Sequence, residues 1–176
     1  LLSATQIAEI LRAAGTKVLV ALGPVPGSDI WGKVQRIKAQ LPQIEAIVVV
    51  HGAADEAHGV YSFDEVVARF PADRLISARR IQASDTAGYF HTGGTTGTSK
   101  GVLHTHASAA AAIVNQATAE RVATDDVYML LGQMFHIPVV LAMTYLAHGK
   151  PLVLMNFEPG RTLATIEEER VSAFLG

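Results

Sequence analysis

The sequence predicts an α/β fold in which helices are layered on a largely parallel or mixed sheet. Short apolar runs such as Lys17–Leu22 and Ala46–Val50 are typical of buried strands. Segments with helical periodicity separate these runs, so helices and strands alternate along the chain. Of the 176 residues, 49% are hydrophobic and 17% are charged, which is the composition of a globular protein with an apolar core.

Helix and strand alternate twice in the first third of the chain. Ser3 is placed to cap a helix over Ala4–Ala14, and Gly15 is placed to end it. The strand Lys17–Leu22 follows, and its unbroken apolar character predicts that both of its faces are covered. A second helix, over about Asp29–Gln40, leads to the second apolar run, which is the next predicted strand.

A polar stretch interrupts the alternation in the middle of the chain. Ser62, with Glu65 three positions later, has the form of a capping box and predicts a short helix that ends near Phe70. Pro71 opens a polar linker that carries several arginines. A strand over Thr86–Thr92 follows this linker.

The second half of the chain returns to regular alternation. Thr105 is predicted to cap a helix that runs to about Arg121 and is rich in alanine, which lets neighbouring backbone pack close to it. The remaining predicted elements are the strand Val102–His104, the strand Val127–Leu131, the helix Ile137–His148 ended by Gly149, the strand Pro151–Met155, the helix Pro159–Arg170 and the strand Val171–Leu175.

Composition argues against several classes of partner and chemistry. The formal net charge is −2 and basic residues cluster only in pairs such as Arg79 and Arg80, so a nucleic-acid partner is not expected. The chain has no cysteine, which removes disulfides, thiolate metal sites and thiol nucleophiles. Gln133 and Pro138 interrupt the apolar run Val127–Ala147, which therefore predicts two buried elements and no transmembrane segment.

The start of the chain has neither a basic region nor a small-residue cleavage site, so no signal peptide is predicted. A cytoplasmic location is the resulting default expectation. Because the first residue is Leu1 and not Met, we expect that the chain is cut from something longer. The sequence contains no indication of an oligomeric state.

The segment Thr92–Gly101 has the composition of a phosphate-binding loop. Its ten residues are four glycines, four threonines, one serine and one lysine. Glycines let consecutive backbone N–H groups converge on an anion, the hydroxyls add neutral donors, and Lys100 adds a mobile positive charge. These features predict a site for a polyphosphate, while a flexible linker or hairpin turn is the structural alternative.

This segment does not fit the Walker A pattern of phosphate loops. If Gly94 began that pattern, Ser99 would stand where the second glycine belongs. Gly101 would stand where a serine or threonine must follow Lys100. A P-loop nucleotide-binding site is therefore not predicted.

The longer run His91–His106, HTGGTTGTSKGVLHTH, resembles the signature loop of the adenylate-forming superfamily, which includes acyl-CoA synthetases, luciferases and peptide-synthetase adenylation domains. The superfamily pattern is close to (Y/F)TSGTTGxPKGVxxTH. His91, Gly93 and Ser99 replace its aromatic residue, serine and proline, and loss of the proline is expected to make the loop more mobile before Lys100. The matching residues are Thr92, Gly94, Thr95, Thr96, Gly97, Lys100, Gly101, Val102, Thr105 and His106.

A second resemblance lies downstream. Gln133–Ile137 is similar to the PLFHI element of the same superfamily, with Phe135 and His136 in register. The resemblance implies that His136 lies near ATP and the acyl pocket as a gating or orienting residue. A core histidine satisfied by the backbone is the alternative. Pro138, Val139 and Val140 follow where the superfamily usually has a small residue or glycine.

The resemblance implies that residues 1–176 are an incomplete N-terminal, AMP-binding domain of an acyl-CoA synthetase-like fold, without the lysine-bearing C-terminal domain. It implies ATP-dependent activation of a carboxylic acid to an acyl-adenylate, followed by transfer to coenzyme A, with Mg²⁺ accompanying ATP. Lys100 and His136 are the implied catalytic residues. The implied nucleotide-binding residues are Thr92, Gly93, Gly94, Thr95, Thr96, Gly97, Thr98, Ser99 and Lys100.

Three other hypotheses compete with this one. A non-catalytic nucleotide-sensing or scaffold domain could keep the loop without the reaction. A phosphotransferase would release ADP, whereas adenylation releases AMP and pyrophosphate. His104 and His106 could share one strand face as metal ligands, but no third ligand at a recognisable spacing accompanies them, so no metal site is assigned.

Overall fold

The computed structural model describes residues 2–92, 100–131 and 137–175. For Thr92 and Lys100 it describes the backbone but not the side chain. The chain divides into two compact units. The first contains residues 1–81 and 88–103, and the second contains residues 82–87 and 104–176. Among the described helices, none has the length and apolar character that a bilayer crossing requires.

The first unit contains a three-stranded parallel sheet in the order β1 (Val18–Leu22), β2 (Ala46–Val50) and β3 (Val60–Ser62). Strands β1 and β2 pair in register from Val18 with Ala46 to Leu22 with Val50. The helix between them supplies the crossover that parallel neighbours need. The elements are α1 (Ala4–Ala13), β1 (Val18–Leu22), α2 (Ile30–Lys38), β2 (Ala46–Val50), a 3-10 turn (Glu56–His58), β3 (Val60–Ser62) and α3 (Phe63–Ala68).

Helix α2 connects two parts of the core of this unit. Its Val34 packs on the sheet, and its Ile37 packs against α1. Both side chains are buried because the apolar positions of α2 recur at helical spacing. The buried residues are Val34, Ile47, Val49 and Val60 in the first cluster, and Ala8, Ile37 and Leu41 in the second.

The prediction that both faces of the first strand are covered is wrong. Val18 is 53% exposed and Val20 is 58% exposed. Strand β1 is an edge strand, and the core that contains α2 packs only against the face that carries Leu19 and Ala21. The assignment of this run to a strand is confirmed, but an unbroken apolar run does not distinguish one covered face from two.

The two predicted caps of the first unit have different outcomes. The Ser3 cap is confirmed, since Ser3 Oγ accepts a hydrogen bond from the Gln6 N–H at 3.3 Å. The capping box of Ser62 and Glu65 is wrong, because the Ser62 side chain makes no capping bond to α3. Ser62 is the last residue of β3 and pairs with Val49, so the strand holds its backbone.

The second unit contains a parallel sheet in which β6 (Tyr128–Leu131) lies between β7 (Leu152–Met155) and β8 (Ala173–Phe174), and helix α5 (Ile137–Ala147) connects β6 to β7. Its core forms where α5 packs on β6, and the rings of Tyr128 and Tyr145 stack with their centroids 4.5 Å apart. The remaining elements of the chain are β4 (Thr86–Thr92), β5 (Lys100–Thr105), α4 (His106–Glu120), β6 (Tyr128–Leu131), α5 (Ile137–Ala147), β7 (Leu152–Met155), α6 (Pro159–Glu168) and β8 (Ala173–Phe174).

Candidate functional site

The predicted phosphate loop lies between two paired strands. Strand β4 ends at Thr92, strand β5 begins at Lys100, and the two form a two-stranded sheet. The predicted strands on both sides of the loop are therefore confirmed. Gly93–Ser99 and the side chains of Thr92 and Lys100 lie outside the described residues. Their roles in binding phosphate stay predictions.

Gly101 is a described glycine of the signature run, and it lies within strand β5. A Cβ atom added at Gly101 would overlap the phenol ring of Tyr89. The ring therefore lies against the β5 backbone immediately after Lys100. Glycine permits this close approach of a side chain to a strand. Sequence reasoning assigned no role to Tyr89, although a glycine inside a strand is a signal for such a contact.

The N-terminus of α4 is already occupied by protein groups. Thr105 Oγ1 accepts a hydrogen bond from the Ser108 N–H at 3.2 Å, which confirms Thr105 as the cap. The N–H of His106 donates to the Asp85 carbonyl at 3.0 Å, and the N–H of Ala107 donates to the carbonyl of residue 83 at 2.9 Å. The donors of the first helical turn therefore all have partners.

This arrangement bears directly on how phosphate could be held. In many nucleotide-binding folds the open N–H groups at a helix N-terminus bind the anion. Here those of His106, Ala107 and Ser108 are used within the protein. These three N–H groups are therefore not open to an anion. The contacts made by residues 83 and 85 were not predicted, since nothing local in the sequence signals them.

The predicted alternative of a histidine metal site is not supported by the secondary structure. His104 lies in β5, whereas His106 is the first residue of α4. The two histidines therefore do not share a strand face, which that alternative required. Among residues 2–92, 100–131 and 137–175, no three His, Asp or Glu side chains converge as a metal site would require.

His136 lies outside the described residues, immediately before helix α5. The helix itself begins at Ile137 as predicted, and its buried face holds it against β6. On that face, Thr144 Oγ1 donates to the Val140 carbonyl at 2.9 Å. The role of His136 near the nucleotide stays a prediction.

Burial and hydrogen bonds shift the pKa values of Tyr145 and Asp126, which both lie in the second unit. Burial, followed by a hydrogen bond with Glu120, raises the pKa of Tyr145 to about 12. The Ala123 N–H and then the Ser172 hydroxyl, both donating to Asp126, hold the pKa of that carboxyl below its usual value. Both groups serve the fold, and neither belongs to the predicted site.

An open cleft of about 490 Å³ lies along β7 and α6. Leu154 and Met155 line its strand side, and Arg161, Thr165 and Glu168 line its helix side. Its described lining includes none of the predicted site residues. The cleft is therefore not assigned to the candidate site.

Comparison with known proteins decides the family. The family described as AMP-binding enzyme matches residues 1–176. The chain belongs to the AMP-binding enzyme family. This confirms the resemblance to the adenylate-forming superfamily that the signature run His91–His106 indicated.

Curated relatives of this AMP-binding chain are CoA ligases. A methyl-dioxo-octahydroindenyl-propanoyl:CoA ligase from Mycobacterium tuberculosis is 31% identical over 184 aligned residues, which cover 99% of this chain and 34% of the relative. The marinolic acid–CoA ligase of a Pseudoalteromonas species is 26% identical over 95% of this chain and 26% of its own length. The chain thus spans about a third or less of these relatives.

Solved structures confirm the fold. A long-chain-fatty-acid-CoA ligase from Archaeoglobus fulgidus superposes with a TM-score of 0.80 at 22% identity, over 99% of this chain and 33% of that one. The inhibitor-bound N-terminal domain of FACL13 from Mycobacterium tuberculosis gives 0.77 at 25% identity, over 98% of this chain and 40% of that one. The α/β architecture of an acyl-CoA synthetase N-terminal domain is therefore confirmed.

Proposed function

We propose that the protein containing this chain activates a carboxylic acid with ATP and then transfers the acyl group to coenzyme A. The observation that carries the proposal is the signature run His91–His106, which extends from β4 through β5 to the capped start of α4. Membership of the AMP-binding enzyme family and the CoA ligase names of the curated relatives support it.

The proposed domain organisation follows from the same family. Residues 1–176 would belong to a large N-terminal, AMP-binding domain, and a lysine-bearing C-terminal domain would complete the enzyme. The chain spans 34% of one curated relative, which leaves room for such a domain in a protein of that length. A cytoplasmic location, where ATP and coenzyme A are available, is part of this proposal.

The first proposed step forms the acyl-adenylate. A carboxylate oxygen attacks the α-phosphorus of ATP, and the bond from that phosphorus to the oxygen that bridges to the β-phosphate breaks. Pyrophosphate leaves with the bond electrons. In the second step the coenzyme A thiol, after losing its proton, attacks the acyl carbon and AMP departs. ATP and coenzyme A are consumed as substrates in this sequence.

The loop residues Thr92–Lys100 are proposed to act in the first step. Backbone N–H groups at Gly93, Gly94 and Gly97 would hold the β- and γ-phosphates, with hydroxyl donors from Thr95, Thr96, Thr98 and Ser99. Lys100 would offset the charge on the departing pyrophosphate. The N-terminus of α4 is not proposed to bind phosphate, because its first three N–H groups already have partners. This supports the assignment of the phosphates to the loop.

Two further assignments belong to the proposal. His136 would orient or gate the acyl group from its position before α5. Mg²⁺ would accompany ATP, but the described residues contain no converging set of acidic or histidine ligands for it. Hydroxyls alone hold Mg²⁺ poorly, so no step is assigned to the metal.

The acid is proposed to be largely apolar. Relatives with this chemistry are named for a cyclic dioxo-indenyl propanoate, for ferulic acid and for medium- and long-chain fatty acids. A screen should therefore include one acid of each kind. The described residues do not favour one of them over the others.

The test is pyrophosphate release by the intact protein across this panel of acids, with AMP and ADP resolved as products. We expect acid-dependent formation of AMP and pyrophosphate. Lys100→Ala is expected to lower kcat/KM by about two to three orders of magnitude, in the range known for loss of a transition-state contact to developing charge. Lys100→Arg keeps the charge and is the matched control.

Other products would contradict the proposal. ADP as the nucleotide product would indicate a phosphotransferase. Binding of ATP with no acid-dependent turnover for any acid of the panel would indicate a non-catalytic nucleotide-sensing or scaffold domain.

A further inference from the structure

The ring of Tyr89 lies against the backbone of Gly101, the residue that directly follows Lys100. A Cβ atom added at Gly101 would meet the hydroxyl oxygen, Cζ and Cε2 of that ring. The contact therefore joins the hydroxyl end of a β4 side chain to the main chain of β5. A flat, rigid ring that covers a glycine of the neighbouring strand restricts how far that strand can shift.

The contact with Tyr89 also restricts the backbone of Lys100. Neighbouring Cα atoms are held about 3.8 Å apart, so a strand fixed at Gly101 leaves little freedom to the residue before it. The cap of α4 acts at the other end of β5, since Thr105 lies five positions after Lys100. Five positions of extended strand span about 16 Å, which is too far for the cap to define the place of the lysine.

The sequence predicts less restriction on the other side of Lys100. Ser99 stands where the superfamily pattern has a proline, and a proline ring would fix the backbone angle φ at that position. The place of the lysine is therefore expected to depend more on the residue that follows it. That residue is Gly101, which the Tyr89 ring covers.

We propose that Tyr89 is a positioning residue for the adenylation step, because its ring holds the backbone of Lys100 in place through Gly101. The inference rests on the proposed function, in which Lys100 offsets the charge on the departing pyrophosphate. A fixed charge stabilises a transition state only at the correct distance, and a misplacement of about 1 Å can lower a rate by about a hundredfold. Tyr89 itself is assigned no contact with ATP or with the acid.

A purely structural role for Tyr89 is the competing explanation. Loss of folded protein would lower kcat in proportion to the folded fraction and would leave the KM for ATP unchanged. Displacement of Lys100 would instead weaken the binding of ATP, and its effect would depend on the lysine being present. Steady-state kinetics and ATP binding therefore separate the two roles.

The test is a double-mutant cycle of Tyr89→Ala and Lys100→Ala in the intact protein. Pyrophosphate release gives kcat and the KM for ATP, and calorimetric titration with Mg²⁺-ATP gives Kd. Tyr89→Ala alone is expected to raise KM and Kd and to lower kcat/KM by about ten- to a hundredfold. When Lys100 is already alanine, the same change is expected to lower kcat/KM by less than about twofold, since no lysine remains to be positioned.

Three further variants sharpen this test. Tyr89→Phe keeps a ring over Gly101 and is expected to retain kcat/KM to within about threefold. Gly101→Ala displaces the ring from the side of β5 and should act in the same direction as Tyr89→Ala, so the proposal stays testable if Tyr89→Ala does not fold. Phe90→Ala is the matched control, because Phe90 lies against Gly88 on the opposite face of β4. It is expected to change kcat/KM by less than about twofold, as a substitution that does not touch Gly101.

Several outcomes would overturn the proposal. Equal losses from Tyr89→Ala with and without the Lys100 side chain would do so, as would a lower kcat with an unchanged KM for ATP. An equal loss in Phe90→Ala or in Tyr89→Phe would also contradict it.

Failure of the proposed ligase function would give a different result. The natural protein would then form no AMP with any acid of the panel. The Kd for Mg²⁺-ATP would still test Tyr89, because the effects of Tyr89→Ala and Lys100→Ala on binding should again be non-additive. No binding of ATP by the natural protein would overturn both proposals.

Discussion

Within the signature run, Gly101 both belongs to the predicted phosphate-binding pattern and packs against another residue of the fold. Gly101 matches the superfamily pattern, and the structure shows a packing reason for glycine there, since the Tyr89 ring occupies the space of a side chain. Lys100 precedes it directly. The contact with Tyr89 thus fixes the strand at the residue next to the proposed phosphate-binding lysine.

Replacing Gly101 by alanine should displace the Tyr89 ring. Tyr89 is 39% exposed, so its ring can move into solvent, and we expect a stability loss of only about 1 kcal/mol. We also expect a higher KM for ATP, because the displaced ring no longer fixes the strand next to Lys100. Thermal unfolding and pyrophosphate release measure the two effects. When Tyr89 is already replaced by alanine, adding Gly101→Ala should leave the free energy of unfolding almost unchanged. If Gly101→Ala lowered this free energy equally with and without the Tyr89 ring, the steric explanation would be refuted.

Tyr145 should make the protein sensitive to alkali. Its pKa of about 12 lies above the value of about 10 for an unfolded tyrosine, so the unfolded state loses the proton first. The protonated Tyr145 therefore makes its full contribution to stability below about pH 10. As the pH rises from about 10 to 12, the free energy of unfolding is expected to fall by up to about 3 kcal/mol. Urea unfolding across this range measures it. Tyr145→Phe should flatten the decline, and an unchanged decline in that variant would contradict the assignment.

At the scale of elements, Asp126 connects the loop before β6 to the start of β8. Its carboxylate accepts hydrogen bonds from the Ala123 N–H at 2.6 Å and from the Ser172 hydroxyl at 2.7 Å. The Ser172 hydroxyl oxygen also accepts from the Val127 N–H at 3.1 Å. Two segments distant in sequence are held together in this way.

Asp126→Asn should weaken this connection. Loss of the charge-assisted bonds is expected to cost about 1–2 kcal/mol, measured by urea unfolding at neutral pH. The lowered pKa of Asp126 means that its contribution is present above the ordinary aspartate value of about 3.9 and is lost as the pH falls below it. Ser172→Ala is the matched control and should lose only part of the effect. Equal stability of Asp126→Asn and the natural protein between pH 3 and 7 would rule this role out.

The elements also show what local sequence can predict. Apolar runs and caps predicted the strand Ala46–Val50 with its observed bounds and the helix after Thr105 to within one residue. Strand β3 was missed because three residues carry no periodic signal. The exposure of Val18 and Val20 was missed because it depends on what packs across the sheet, which no window of sequence contains.

At the scale of the whole molecule, the family could be predicted and the geometry of the site could not. The run His91–His106 was sufficient for the family because its glycines, threonines and lysine recur at fixed positions. The partners of the first α4 donors come from residues 83 and 85, about twenty residues earlier. Such distant contacts depend on the folded chain, so no sequence pattern could indicate that the N–H groups of His106 and Ala107 are occupied.

The chain by itself is expected to lack the proposed activity. It spans about a third of the length of its CoA ligase relatives. We therefore expect no carboxylate-dependent exchange of pyrophosphate into ATP by the purified 176-residue chain. The same assay on the intact protein, with the same acids, is the control. Measurable exchange by the isolated chain would contradict this prediction.

The occupied start of α4 makes three amides useful as isotope-exchange reporters. The N–H groups of His106, Ala107 and Ser108 already have acceptors within the protein, so an arriving nucleotide has no reason to change their protection from deuterium. Protection acquired with ATP should instead concentrate at the loop amides 93–99. Mass-spectrometric exchange with and without ATP would therefore distinguish an anion held by a loop from one held by a helix end, even in a variant that no longer turns over.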